Sequence, residues 1–212
     1  VYSEGVSGNG GATGGHRLFA EIYGRFGDSL EGGRIGAVRR ELVVQATGVV
    51  LDLGAGAGAN LPLLSDAVDT VHAVEPDPYM IRYLRRRLPE NAVVHQARGE
   101  ALPLDDGSID TVLTTLTLCT VQDMPQVLAE IRRVLRPGGR VLVLEHVLAS
   151  RPRQARLQRL FKGPWRWAGA GCNPDRDTAA ALAEAGFDTG GLRRFGVRGT
   201  VLAPEWITGV AS

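Results

Sequence analysis

Val50-Leu51-Asp52-Leu53-Gly54-Ala55-Gly56-Ala57-Gly58-Ala59-Asn60 is an apolar run that breaks into alternating glycines. Glycines directly after a buried strand let the backbone turn tightly and approach a ligand with no Cβ in the way. The stretch therefore predicts a strand and a ligand-binding turn. The loop alone is ambiguous, because Gly54, Gly56 and Ala59 also satisfy the dinucleotide fingerprint. Two acids narrow the choice. Asp52, at the strand end, repels a pyrophosphate but suits an ammonium group or another cation. Glu75, closing the next strand, can hold ribose hydroxyls with its two oxygens. A nucleoside carrying positive charge satisfies both, and a nicotinamide-dependent oxidoreductase stands as the alternative.

Outward from this loop, short β-branched or leucine-rich runs alternate with amphipathic helices. Strands are expected at Val49–Leu53, Thr70–Val74, Val93–His95, Ile109–Thr115 and Arg140–Glu145, with helices at Pro78–Leu88 and Met124–Leu135. That alternation predicts a doubly wound α/β sheet. Arg136-Pro137-Gly138-Gly139 reads as a sharp helix stop. A last helix is expected over Asp175–Ala185, then strands near Gly190–Val197 and Thr200–Ile207. Residues 1–15 hold six glycines and read as a flexible tail. Residues 16–46 read as helical, and residues 151–171, rich in arginine and tryptophan, as an insertion that breaks the rhythm.

The 212 residues fit one domain, here 16–212, with 44% hydrophobic residues for a core. A net charge of +1 makes no general case for nucleic acid or anionic membrane. Cys119 and Cys172 lie far apart without CxxC spacing, which argues against a disulfide scaffold or zinc ribbon, so no metal site is expected. No stretch approaches the roughly 20 apolar residues of a membrane span. A cytoplasmic protein without integral membrane contact is expected, its oligomeric state left open.

Four blocks in order, LDLGAGAG, VEPDPYM, GEALPLDDGSIDTVL and VLRPGGRVLVLEHV, give the chain its family likeness. It resembles the class I S-adenosylmethionine-dependent methyltransferases of the small-molecule branch, from about Leu18 to Ala211. The resemblance implies a Rossmann-like, seven-stranded, mostly parallel sheet with an antiparallel last strand and an N-terminal helical cap. It implies S-adenosyl-L-methionine as cofactor and S-adenosyl-L-homocysteine as product. By the same likeness Gly54, Gly56 and Gly58 line the methionine part, Asp52 sits near its amino group, and Glu75 takes the ribose with Pro76 beside the adenine. Gly99 and Glu100 flank the adenine ring, although Arg98 stands where many relatives carry an acid. Thr115, Leu116 and Thr117 border the methyl group, and Tyr23 closes over the cofactor or packs as a core aromatic.

LTLCTVQD, LEHV, the Arg-rich insertion, GCNPDRDT and EAGF are similar to a narrower group, the thiol methyltransferase-like proteins and their bacterial homologues. That likeness implies a small thiol as acceptor. A phenol, quinone or polyketide methylated on oxygen or carbon is the runner-up, and a cyclase or scaffold that binds the cofactor without methyl transfer is a further reading. His146, closing the fifth strand, is the candidate base; otherwise it bonds backbone. Cys119 reads as a small buried hydrophobe or an acceptor contact. Asn173 or Asp175 is expected to cap the last helix, with Asn173 and Arg176 as candidate substrate contacts. Trp165 and Trp167 read as a lid or as a satellite cluster. No NPPY-like tetrapeptide follows the fourth strand to hold a flipped base.

Overall fold

The computed structural model describes residues 17, 20–21, 33–169, 171–197 and 204–212. The expected tail and Tyr23 lie outside these residues. Seven strands form one sheet: β1 (Gly48–Leu53), β2 (Val68–Val74), β3 (Ala92–His95), β4 (Ile109–Thr115), β5 (Leu135–Val147), β6 (Gly191–Gly196) and β7 (Glu205–Ala211). Their order is β3-β2-β1-β4-β5-β7-β6. β1 pairs parallel with β2 and β4, β2 with β3 and β4 with β5; β7 runs antiparallel to both neighbours, β5 and β6. The sheet is thus Rossmann-like and mostly parallel.

Successive side chains of a strand face opposite sides, and the central strands bury both. Leu51, Leu53, Val112, Val141 and Val143 enter one core cluster, while Val50, Leu113, Leu142 and Leu144 enter the other. Helix α1 (Gly33–Val43) covers the second face with Val38, Leu42 and Val43. Between β2 and β3 runs α2 (Pro78–Leu84), begun by Pro78 and capped by Asp77, whose side chain accepts from Tyr79 N. Helix α3 (Met124–Val134) covers the first face with Val127, Leu128, Ile131 and Val134, a stripe at helical spacing. The insertion folds into α4 (Pro152–Leu160) and α5 (Lys162–Ala168). Fully buried Gln158 ties α4 to the end of β5, accepting from Ala149 N at 2.8 Å and donating to Val147 O at 3.2 Å.

Several boundaries differ from expectation. β5 begins at Leu135, opposite Ile109, and resumes with Arg140 opposite Thr111, so Arg136–Gly139 bulge out within one strand rather than preceding it. Asp110 holds that bulge: it takes Arg136 Nη1 at 2.7 Å on both oxygens and Val49 N at 2.8 Å. Helix α6 (Thr178–Glu184) starts after Asp177, which accepts from Ala180 N at 3.2 Å. Neither Asn173 nor Asp175 is its cap; Asp175 pairs with Lys162 at 3.0 Å. The seventh strand is Glu205–Ala211; of the expected Thr200–Ile207, residues 200–203 lie outside the described residues, and the strand runs past Ile207 because its seven-pair register with β5 overrides the weak propensity of Gly209.

Candidate active site at the carboxyl edge

The carboxyl ends of β1, β2, β4 and β5 share one edge of the sheet, where a doubly wound fold places its ligand crevice. After β1 the chain turns at once: Gly54 N and Ala55 N both donate to Val74 O, at 2.8 and 3.0 Å. Gly54, Gly56 and Gly58 adopt φ of +67°, +55° and +84°, a region that penalises any Cβ. A Cβ at Gly54 would lie 2.6 Å from the Thr117 side chain, whereas one at Gly56 would meet no protein atom closer than 3.9 Å. The loop is therefore packed at its start and open at its middle. Ala57 packs with Met80 of α2 and with buried Ala20, and Tyr83 donates to Glu21 at 3.0 Å. N-terminal residues thus lie against the loop.

Asp52 is fully buried. Its Oδ1 accepts from Asn60 Nδ2 at 2.7 Å, while Oδ2 has no partner among the described residues. Arg39 of α1 donates to Asn60 Oδ1 at 2.6 Å and to Thr115 Oγ1 at 2.8 Å, closing a buried network. Burial pushes the Asp52 carboxyl up to about 6, against the Asn60 hydrogen bond and the Arg39 charge. Glu75 accepts Gly56 N on Oε2 and Asp77 N on Oε1, both at 2.8 Å. Burial raises it to about 7, opposed by those amides and helped by the charges of Asp77 and Asp52. Each Glu75 oxygen keeps a lone pair for a hydroxyl donor. Pro76 beside it is exposed. Gly99 is buried between Leu53 and Val127, and Glu100 Oε1 accepts from Gln122 N at 2.9 Å and Asp123 N at 3.1 Å.

β4 ends in a reversal. Leu116 has φ +62°, the only positive φ of a non-glycine among the described residues, and such strain collects at functional sites. Thr117 donates its hydroxyl to Leu53 O at 2.8 Å. Buried Glu145 of β5 takes the amides of Thr117 and Leu118 at 2.8 Å and of Cys119 at 3.4 Å. Burial raises this carboxyl, opposed by the Leu118 and Thr117 amides. Glu145 had a signal in the sequence, as a lone acid inside the apolar run VLVLEHV; Arg39 had none, because nothing in the sequence shows which arginine of α1 faces inward.

Beyond Glu145 the edge is lined by sulfur and imidazole. His146 Nε2 lies 2.7 Å from Cys172 Sγ, and Trp165 Nε1 donates to the same sulfur at 3.0 Å. A ligand atom of Cys119 lies within 4.8 Å of those of His146 and Cys172, and all three residues are buried. Both cysteines are free thiols, so residues distant in sequence meet without a disulfide. The Cys172 thiol is lowered by the hydrogen bond with Cys119, then by His146 and Trp165, against burial. His146 is pushed down by burial but carried upward by the Cys172 sulfur and Glu145. Its Nδ1, also buried, has no protein partner.

The other expected acceptor contacts hold the loop after β4. Asn173 donates Nδ2 to Cys119 O and Gly171 O, both at 3.1 Å, and Arg176 clamps Leu118 O and, at 2.6 Å, Val121 O. Trp165 reaches the cluster, but Trp167 is 84% exposed and does not. At the sheet's opposite edge a polar cavity lies between Thr47, Asp69, Asp110 and the Arg136–Gly139 bulge, away from these groups.

Residues 51–143 match the family model described as a methyltransferase domain. Among curated proteins the chain is 35% identical to human thiol S-methyltransferase TMT1B over 164 residues, 70% of this chain and 67% of that one. It is 37% identical to the rat TMT1B protein but spans only 59% of its length. Among solved structures it is similar to a SAM-dependent methyltransferase from Aquifex aeolicus, with TM-score 0.59, 21% identity and coverage of 87% and 92% of the two chains. The [4+2]-cyclase SpnF is also similar, with TM-score 0.67, 16% identity and coverage of 92% and 95%. At those identities the likeness is one of fold alone.

Proposed function

Because the chain belongs to the class I S-adenosylmethionine-dependent methyltransferases, we propose that it moves the methyl group to the sulfur of a small thiol. The cofactor is S-adenosylmethionine, and the residues present fit it: an open glycine turn, a buried Asp52 oxygen without a partner, and Glu75 with lone pairs to spare. When bound, its sulfonium supplies an already activated methyl group. The chain's task is to position and to exclude water. In this reading the backbone of Gly54, Gly56 and Gly58 borders the methionine part, Asp52 the ammonium, and Glu75 the ribose hydroxyls. Pro76, Gly99 and Glu100 stand around the adenine; Tyr23 lies outside the described residues. Thr115, Leu116 and Thr117 wall the methyl group, with Cys119, Trp165, Asn173 and Arg176 shaping the acceptor side.

The observation that carries the sulfur reading is the lining of that acceptor side: two thiols, an imidazole and an indole N–H meeting at one point beside β4 and β5. The named activity of the human and rat relatives supports it. A thiol attacks only as thiolate. In this reading the acceptor's proton goes to His146 Nδ1, which is buried and has no hydrogen-bond partner among the described residues.

The test is S-adenosylhomocysteine formation, read by mass spectrometry across matched panels of thiols, phenols and quinols. Turnover on thiols, with the methyl on sulfur, is expected; turnover confined to phenols or quinols overturns the reading, and a bound cofactor with no turnover at all favours a non-methylating role. His146→Gln is expected to lower kcat by about 100-fold or more while S-adenosylmethionine affinity holds. Full turnover in that variant removes the base assignment.

A further inference from the structure

Cys119, His146 and Cys172 come from three separate segments: the turn after β4, the end of β5 and the turn after α5. Hydrogen bonds that involve no sulfur hold these three segments together. Asn173 N and Nδ2 both donate to Cys119 O, at 2.8 and 3.1 Å, and Leu148 N donates to Arg176 O at 2.9 Å. The backbone therefore brings the three side chains together whether or not their ligand atoms bond each other. Those atoms lie within 4.8 Å of one another, and the residues are 1%, 3% and 8% exposed.

We propose that these three residues bind one soft divalent cation, zinc, leaving a fourth position for the sulfur of the acceptor. Two thiolates and one imidazole with an open place is the ligand count of a catalytic zinc site. Bond lengths of roughly 2.0–2.3 Å put neighbouring tetrahedral ligands roughly 3.5–3.8 Å apart. The Nε2 to Sγ distance of 2.7 Å must then open by about an ångström, a side-chain adjustment. Trp165 N–H on Cys172 Sγ supplies the outer hydrogen bond that steadies a thiolate ligand. Among nearby charges, Glu145, at the Cys119 amide, favours a cation; Arg176 opposes it but spends its donors on the carbonyls of Leu118 and Val121.

Proton and cation compete for this cluster. Zinc entry releases two protons in total, so that both cysteines ligate as thiolates and His146 ligates through Nε2 as neutral imidazole. An acceptor thiol would then bind with loss of its own proton to solvent, so that in the zinc-loaded protein the ion makes the thiolate and the base role proposed for His146 applies to the metal-free protein. The ligation stands on geometry alone; the acceptor's place in it rests on the thiol reading.

The experiment is an anaerobic titration of chelator-treated full-length protein with Co²⁺, a spectroscopic substitute for zinc, followed by zinc competition. One equivalent is expected to produce thiolate-to-cobalt charge-transfer absorption that zinc abolishes. Cys119→Ser and Cys172→Ser should each weaken the site by about tenfold or more, with S-adenosylmethionine affinity in the same preparations confirming an intact fold. No charge-transfer band at one equivalent, or a band that survives in both variants, overturns the site. Ethanethiol should alter the cobalt ligand-field bands; unaltered bands overturn the fourth position alone. Stoichiometric metal without S-methylation in the acceptor panels fails the thiol reading and leaves the site standing.

Discussion

The two halves of the carboxyl edge are built in opposite ways. The half proposed to hold the cofactor is contiguous: Asp52, three glycines and Asn60 fall within nine residues, and Glu75 follows the adjacent strand. Most of its contacts are backbone amides on carboxylates or carbonyls, which only the local chain path can supply. The half proposed to take the acceptor is convergent. Cys119, His146, Trp165, Cys172, Asn173 and Arg176 arrive from separate segments and bond side chain to side chain or side chain to distant carbonyl. A half made of backbone tolerates little change and has one ligand; a half made of side chains on loops is where acceptor choice can vary over an unchanged fold.

The sharpest way to break this division is at the contact between the halves. Gly54→Val sets a Cβ 2.6 Å from the Thr117 side chain at a φ of +67°. It should cost about 1–3 kcal/mol in chemical denaturation and abolish S-adenosylmethionine binding in calorimetry. Next in size, Glu75→Gln should weaken Kd for the cofactor about 10–100-fold, the worth of hydrogen bonds to a charged acceptor, without changing which acceptors are used.

Protonation gives a subtler test of the same half. Glu75 is raised to about 7 and Asp52 to about 6 by burial. For a carboxyl whose folded value exceeds its unfolded one, the stability it contributes is complete below the unfolded value and is lost as pH rises through the folded one. The ligand-free protein should therefore lose Tm between pH 5 and about 7.5 from these two groups. Cofactor affinity should run the other way, rising several-fold through about pH 7 as Glu75 ionises, and Glu75→Gln should flatten that rise. Thermal shift with and without cofactor separates the trends.

On the acceptor side, Arg176→Ala strips two carbonyls of their donor and should raise acceptor KM by about tenfold, with cofactor Kd within about twofold of the parent. An equal loss of both affinities would show that the halves are one unit. The smallest effect belongs to Trp167→Ala. With 84% of that residue exposed, stability should stay within about 0.5 kcal/mol and acceptor KM should not move.

The same division decides how much was legible beforehand. Strand, glycine turn and acid follow one another along the cofactor half, so hydrophobic period and turn chemistry reveal it directly. The parallel order followed from alternation, and α3 from its i, i+4 stripe. Spacing along the chain carries no trace of the Cys119–His146–Cys172 meeting, and it even argued against a metal set. Asn173 and Arg176, expected as candidate substrate contacts, bond loop carbonyls, which side-chain chemistry alone does not foretell. The limits of β5 and β7 slipped because pairing partners, not local propensity, set them.

The position of β7 has a consequence in time. β6, residues 191–196, touches the sheet only through β7, residues 205–211, which a ribosome delivers later. Until then β6 has no neighbour and β5 keeps an open edge. Strands β1 to β4 have no such wait, since every partner among them is made by residue 115. The residues proposed to meet the cofactor are thus made well before the Trp206 ring that packs edge-on against His146, and through that interval the sheet edge at β5 is bare.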